Sequence, residues 1–571
     1  MLPRDRVDFP KMLVGLRSLK TGSVLPERIV AAVANCLIAA RYSRLPMMPG
    51  ATKTLVHAAP VETFAAWLGA MDAPDIGFWL SSAYSHLVDD EKRRRQAFFF
   101  TPPALCKRML DDLDAAGLDW ANARIVDIAC GGAAFLGPAG RRVADVLADQ
   151  RVDARTILSR VAAQLTGIEI NPFLANLSRL FIGIMLYPWI EEVGFVPPVP
   201  IVVGDALQRS SALVGRFDAV ICNPPYRKLA AWEVARLPKH LRELCFFQPN
   251  LYAMFMALST RLLNEHGVAG LLTPMSFLSG RSFLKVREQL VAERHVTRMD
   301  LVEAKGGVFL GVEQDTAITI LAPRRPKPVR TGVFAGVSPG RWRGTGSVLL
   351  DNTGGPWILP RTPDDAKLMA VANGRTISDY GYAPVVGNVI SYRERRRRFA
   401  TLADARAAHA VHPVPMLRAP EIRSGGRLCF QLEPRSDCFI DAGNKDIGVV
   451  RERAVVLQRV TAPEQDRRLI CAPVPLYLQR QYDGVMGENH VTFLIAQPGA
   501  KVGPELLAQI LGSDLVDRLF RCRSGATNVS TYELANLPLP DPQIVRSRLA
   551  AGADINAAVR AGFGVVSALR R

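Results

Sequence analysis

The sequence predicts an α/β protein: a doubly wound, mostly parallel sheet, preceded by a helical segment and followed by a mixed α+β domain. Three observations predict it. Between Phe98 and Leu321 seven short apolar runs alternate with segments of helical period, the pattern of strands joined by crossover helices. Upstream, "PERIVAAVANCLIAARY" keeps apolar residues at helical spacing, with Pro26 and Glu27 at its start. Beyond about residue 381 the chain turns basic and its strand-like runs become scattered.

The elements follow in order. A chain of 571 residues is too long for one core and long enough for two to four. Residues 1–95 read as helical, closed by the charge run "DDEKRRRQ". Residues 96–325 hold the seven runs "ARIVDIAC", "QLTGIEI", "PIVVGDA", "FDAVICN", "GVAGLLTP", "VTRMDLVE" and "TAITILAP". Residues 326–380 are rich in Pro and Gly and read as a connector, 381–545 as a second domain, and 546–571 as a peripheral helix.

Composition narrows the partners and the compartment. Lys and Arg number 71 against 53 Asp and Glu, a formal charge of +18, which suits a polyanion as partner or an arginine-rich solvated surface. Nine cysteines are scattered without a Cys-x-x-Cys pair or a zinc spacing, so no metal is expected and a reducing, cytoplasmic setting is. No apolar run approaches the roughly 20 residues of a membrane span.

Ligands of doubly wound sheets bind beyond the carboxyl ends of the strands. After the first run the small residues of "IACGGAAFL" permit a tight turn and close backbone approach. The second run ends in Glu169, placed to hold a ribose diol or to cap a helix. The third is followed by Asp205, placed to accept from an exocyclic amine or, again, to cap a helix. The fourth ends in "NPPY". Pro224 and Pro225 cannot continue a hydrogen-bonded strand and stiffen the turn. Asn223 and the neighbouring carbonyl then present two fixed acceptors to an amino group, and Tyr226 can lie against a planar ring.

These strand ends together resemble the gamma class of adenine-N6 DNA methyltransferases of restriction–modification systems. The resemblance covers Phe98 to Leu321 in detail and implies a Rossmann-like methyltransferase sheet, S-adenosyl-L-methionine as cofactor and a C-terminal DNA target recognition domain. "FFFTPP" resembles the segment that packs over the methionine part of the cofactor, implying roles for Thr101 and Pro102. "VDIACGGAAFL" resembles the cofactor loop, with Asp127, Ala129, Cys130, Gly131 and Phe135 at matching positions. It departs from the common pattern at Ile128, where proline is usual, and Ala133, where glycine is usual. Glu169 matches the ribose acid and Asp205 the acid on the cofactor adenine. Asn223, Pro224, Pro225 and Tyr226 match the catalytic tetrapeptide, and Phe283, with Phe277 as the second candidate, the residue stacking on the second face of the target base. "GGVFLGVEQDTAITIL" and "RLFRCRSGATNVSTYELANLPLPDP" resemble the closing segments of the two domains.

The reaction implied is methyl transfer to N6 of an adenine flipped out of duplex DNA, by a monomer whose partners are double-stranded DNA and a separately encoded restriction endonuclease. Within the second domain Arg393, Arg395, Arg396 and Arg397, with Arg398, are candidates for phosphate contact or a solvated face. Arginines of "LRAPEIRSGGR" are candidates for base reading. NPPY also occurs in glutamine and ribosomal RNA methyltransferases. Methylation of RNA or of a protein glutamine therefore stands as the alternative, beside a catalytically weak DNA-binding subunit and a phage-defence complex.

Overall fold

The computed structural model describes residues 3–20, 24–89, 91, 93, 100–302, 315–327, 329–338, 341–371, 374–430, 435–461, 465–523 and 528–565. It forms two compact units, one of residues 1–277, 282–343 and 349–355, the other of 278–281, 344–348 and 356–571. Phe98 and Phe99, residues 303–314 and residues 524–527 of the motifs above lie outside the described residues.

The main sheet has nine strands, eight of them in the first unit: β1 (Ile125–Asp127), β2 (Leu165–Glu169), β3 (Ile201–Val203), β4 (Phe217–Cys222), β5 (Leu263–Pro274), β6 (Arg294–Val302), β7 (Thr316–Pro323), β8 (Thr331–Ser338) and β9 (Arg341–Val348, which leaves the first unit after Arg343), in the order β3-β2-β1-β4-β5-β7-β6-β8-β9. β1 to β5 run parallel. β7 lies antiparallel between β5 and β6. All seven apolar runs become strands of this one sheet, because residues buried on both faces must be apolar throughout. β8 and β9 fall in the stretch read as a connector. Half of the residues of β9 are exposed, and only Thr345 and Val348 are buried. A strand with little buried surface needs no apolar run, and so "RWRGTGSV" does not announce itself.

Helices cover the sheet. Pro26–Arg41 is buried along Ile29 to Ala34, and Ala73–Leu87 lays Gly77 against the Phe181 ring of helix Pro172–Met185, closer than a Cβ would allow. The N-terminal helices thus share one core with the sheet's own helices. Helix Pro103–Ala115, which follows Thr101 and Pro102, is fixed by buried charges. Arg108 Nε meets Asp300 Oδ2 of β6 at 2.5 Å, and Arg298 meets Asp300 at 2.9 Å and Asp112 at 3.2 Å. The Arg298 guanidinium lies over the Phe334 ring, and that of Arg108 over Trp342. Burial pushes both carboxyls above their ordinary range, while Arg108 opposes it.

The second unit is α+β. Strands Tyr382–Val386, Val491–Ala496, Ala454–Gln458 and Cys471–Pro473 form an antiparallel sheet. A second sheet joins Arg398–Phe399, Phe439–Asp441, Pro413–Leu417 and Met486–Gly487. The stretch read as a peripheral helix contributes to the core: Ala558 and Val559 of helix Ile555–Gly562 are fully buried there. Among the described residues no single helix is long and apolar enough to cross a membrane.

Candidate active site

The strand order reverses between β1 and β4, so the crevice of the sheet opens beyond their carboxyl ends. Asp127, the last residue of β1, pairs in register with Ile221 of β4, and Asn223 follows two residues later. A cavity of about 1210 Å³ lies here, lined by all the strand ends singled out above. Thr101, Asp127, Ala129, Cys130, Gly131 and Phe135 face it, as do Glu169, Asp205, Asn223 and Pro225. Pro102 does not; it is buried ahead of helix Pro103–Ala115, where its carbonyl accepts from Leu105 and Cys106 N–H. Pro224, Tyr226 and Phe283 stand behind the lining.

The carboxylates organise the turn. Asp127 Oδ1 accepts from Ala129 N–H at 3.0 Å. Glu169 accepts from Gly131 N–H at 2.9 Å with one oxygen and from Asn171 N–H at 2.8 Å with the other. Burial pushes Asp127 up to about 7, with the Ala129 N–H opposing and Glu169 adding to the shift. Burial raises Glu169 as well, against the backbone N–H groups of Asn171, Gly131 and Ile170. Asp205 is exposed to the cavity, with Oδ1 on the Leu207 N–H at 2.9 Å. A cavity with a carboxylate on each of three strand ends, and an apolar wall between them, fits a nucleoside that carries a diol, an amine and positive charge. S-adenosylmethionine has those groups, and Glu169, Asp205 and Asp127 are the residues that would hold it.

The departures in the loop have a structural sense. Ala133 adopts φ +61°, a left-handed conformation that favours glycine, and its methyl group is fully buried. Gly132 has no room for a side chain because Ser81 Oγ occupies the space. Cys130 sits near Ser178 Oγ at 3.6 Å, and burial pushes its thiol far up, so it packs and does not act as a nucleophile.

The Asn223 amide is held on both sides. Its Nδ2 donates to Thr101 Oγ1 at 2.9 Å, and its Oδ1 accepts from the Tyr226 hydroxyl at 2.6 Å. Tyr226 also lies 3.1 Å from the Leu272 carbonyl, and burial keeps it a neutral phenol. The expected pair of rings around a base is not formed. Tyr226 meets Tyr252 edge-on at 6.1 Å, and Phe283 is stacked on Tyr252 at 5.2 Å. Phe283 is buried in that contact, so both rings are engaged with a third aromatic, Tyr252, that the sequence reading passed over.

Other lining residues also escape the sequence. Ile170 is exposed directly after Glu169, and Leu251 and Phe255 close the far wall. An apolar residue exposed beside a strand-end acid is a signal in retrospect. Glu27 reaches the cavity from the N-terminal helices. Its Oε1 accepts from Tyr84 at 3.0 Å, and Asn171 Nδ2 donates to that Tyr84 oxygen at 3.2 Å. No local pattern connects residues so far apart.

In the second unit the arginine cluster separates into two kinds. Arg396 is paired bidentately with Glu394 at 2.7 and 2.9 Å, which holds Glu394 down at about 2. Arg397 meets Asp441 at 3.0 Å and two backbone carbonyls, and Arg398 meets Asp437 at 3.7 Å. Of the base-reading candidates, Arg418 is paired with Asp437. Arg393 and Arg395 are exposed, and Arg393 lies 5.3 Å over the ring of Tyr392, itself 81% exposed. Internal ion pairing explains why a run of four arginines is not a run of four open charges.

The sheet order and the strand-end site define a Rossmann-like methyltransferase fold. Residues 190–309 match the family described as Eco57I restriction-modification methylase. The chain is 22% identical over 343 residues to the type II methyltransferase M.PstI of Providencia stuartii, covering 57% of this chain and 65% of that protein. It is 33% identical over 94 residues to the type II methyltransferase M.BsuBI of Bacillus subtilis, covering 16% and 18%. These alignments span less than two thirds of either relative. Among solved structures, the type IIL restriction-modification enzyme MmeI in complex with DNA superposes with a TM-score of 0.54 at 12% identity, over 95% of this chain and 88% of that one.

Proposed function

We propose that this chain is a site-specific DNA methyltransferase that transfers a methyl group from S-adenosyl-L-methionine to N6 of an adenine flipped out of duplex DNA. It would act as the modification component of a restriction–modification system, with a separately encoded endonuclease as partner. The observation that carries the reading is the Asn223 amide, held at the end of β4 in the same cavity as Asp127, Glu169 and Asp205.

When bound, the cofactor supplies an electrophilic methyl group on a sulfonium. The chain's own residues do the rest. Asn223 Oδ1 and the Pro224 carbonyl accept the two hydrogens of the target amine, drawing its lone pair out of conjugation with the ring. Pro224 and Pro225 stiffen the turn, so these acceptors pay little reorganisation at the moment of transfer. The target amine is inaccessible within a duplex, so the base is flipped into the site. There it displaces the Tyr226 hydroxyl from Asn223 Oδ1, and Tyr226 and Phe283 part from Tyr252 to take its two faces. The exposed arginines of the second unit, Arg393 and Arg395, hold phosphates, and loops of that unit read base edges.

The test is methyl transfer from radiolabelled cofactor to duplex DNA, RNA and a release-factor protein in parallel, with methylation-sensitive sequencing of the DNA. Label in N6-methyladenine at one recurring motif is expected. Label confined to RNA or protein would replace the reading by its alternative.

A further inference from the structure

Residues 228–250 leave the sheet directly after the Asn223–Tyr226 turn and return to the same place. Their ends are zipped together. Lys228 and Asn250 form an antiparallel bridge, Leu229 N–H donates to the Pro249 carbonyl at 2.9 Å, and Leu251 N–H donates to the Arg227 carbonyl at 2.8 Å. The excursion opens with helix Ala231–Arg236, in which no residue is buried. A helix this short does not persist by itself, and here polar contacts hold it at both ends. Arg227 pairs bidentately with Glu233 at 2.6 and 2.9 Å, and Glu233 also accepts from Ala230 N–H at 2.9 Å. At the far end Gln208 Nε2 donates to the Arg236 carbonyl at 2.9 Å. Gln208 belongs to the short helix Ala206–Arg209 that follows Asp205. Helix Ala231–Arg236 is thus tied to the Asn223–Tyr226 turn on one side and to the Asp205 turn on the other.

This scaffold carries Trp232. Of the seven tryptophans, all among the described residues, it is the one that is exposed, at 63%, and the one that lines the cavity of the strand-end carboxylates. Arg236, one turn further on, lines the cavity too, with its guanidinium 5.9 Å from the centre of the Trp232 ring. A single exposed apolar residue is ordinary on a protein surface. An indole left in water at the wall of a cavity, on a helix tied to two of the turns that form that cavity, is placed to receive another ring. Its electron-rich face suits an electron-poor heterocycle.

We propose that Trp232 is a binding residue for the cofactor: it stacks on the adenine whose amine meets Asp205. This rests on the proposed function and adds to it a residue that the family resemblance does not match. The tie through Gln208 favours the cofactor adenine over the target base, because Asp205 is the acid expected at the cofactor amine.

The experiment follows tryptophan fluorescence and calorimetry on the full chain. Wild type, Trp232→Phe and Trp232→Ala are each titrated with S-adenosylmethionine, with S-adenosylhomocysteine and, separately, with duplex DNA. Both cofactor forms are expected to quench wild-type emission. Trp232→Phe is expected to lose most of that quench while keeping Kd within about threefold. Trp232→Ala is expected to weaken Kd by about tenfold for both forms alike, because both carry the adenine. Its thermal midpoint is expected to stay put, since the helix buries nothing. Should alanine loosen the helix and lower the midpoint, the quench lost in Trp232→Phe at unchanged Kd carries the test. A Kd within twofold of wild type in Trp232→Ala would overturn the inference, as would a quench that survives in Trp232→Phe. Weakening for S-adenosylmethionine alone would put the ring on the sulfonium, and a quench by DNA alone would put it on a DNA base; either overturns the adenine contact. A wild-type chain that binds neither cofactor form would instead overturn the parent reading, and this one with it.

Discussion

Gly131 donates its backbone N–H to Glu169 Oε2 across 2.9 Å, joining the turn after β1 to the end of β2. Glu169 Oε1 holds the Asn171 N–H in the same way. The acid assigned to the ribose is therefore also a brace of the loop. Glu169→Ala should weaken cofactor binding by about 1.5–3 kcal/mol and also lower the thermal midpoint, because the half-buried N–H groups of Gly131 and Asn171 lose their acceptor. Asp205→Ala, at an exposed carboxylate, should weaken binding with little effect on the midpoint. Calorimetry and thermal unfolding of the two variants check this. Equal midpoint losses would remove the brace from the account.

Asn223→Ala should abolish methyl transfer, by about 10²-fold or more, while leaving cofactor affinity within a few-fold. In the proposed reaction Asn223 would meet the target amine and not the cofactor. Single-turnover transfer beside a binding isotherm measures both. Transfer at a rate close to wild type would mean that the reacting group lies elsewhere.

Asp127 makes the pocket sensitive to pH. Its carboxyl stands at about 7 when folded, against roughly 4 in an unfolded chain. Between those values the folded state holds the extra proton, so this group's contribution to stability falls as pH rises from about 4 to about 7. A cationic ligand has the opposite preference and favours the ionised form. Cofactor affinity should accordingly rise with pH through about 7, with uptake of ligand releasing a proton. Calorimetry in two buffers of different ionisation heat would show it, and Asp127→Asn should be flat. A wild-type affinity that is equally flat would count against Asp127 facing the positive charge.

The arginines of the second unit should divide by their partners. Arg393→Gln with Arg395→Gln should flatten the salt dependence of DNA affinity by roughly one unit of slope per lost phosphate contact. Arg396→Gln should leave the slope alone and lower the thermal midpoint, since Glu394 would be left without its bidentate partner. A salt titration of the three variants decides. A slope lost on changing Arg396 would place that residue on DNA after all.

Gly132→Ala should destabilise by about 1–3 kcal/mol through overpacking against Ser81. Adding Ser81→Ala should recover most of it, because the obstructing atom is the serine hydroxyl. Denaturant midpoints of the single and double variants measure the coupling. No recovery would mean that the backbone and not the hydroxyl sets the limit.

Much of the sheet is legible in the sequence, since β1, β2, β4, β5 and β7 are buried along most of their length and their apolar runs have no other use. The strand-end acids and Asn223 are legible for a related reason: a polar residue that stops such a run must have somewhere to point. The pairing of Tyr226 with Tyr252, and of Tyr252 with Phe283, is a matter of packing between distant segments, which no local pattern encodes. The same holds for Arg397: its charge is written in the sequence, but its partner Asp441 lies 44 positions away and is met only when the strands are folded together. Glu394 is two positions from Arg396, and there it is the bidentate geometry that the sequence does not show. β9 was hidden for the converse reason, as only Thr345 and Val348 of its eight residues are buried.

The bond between Tyr84 and Asn171 also bears on the order of events during synthesis. The two residues are 87 positions apart. At a ribosomal pace of about 5–20 residues per second, Asn171 follows Tyr84 by roughly 4–17 s. Throughout that interval the helices up to Leu87 have been made, while the helix Pro172–Met185 that covers Gly77 has not. The apolar face that later shares the sheet's core waits uncovered on the nascent chain for seconds, far longer than collapse takes. In vivo this is the window in which a holding chaperone would find a client, and it shuts only when the second strand and its helix emerge.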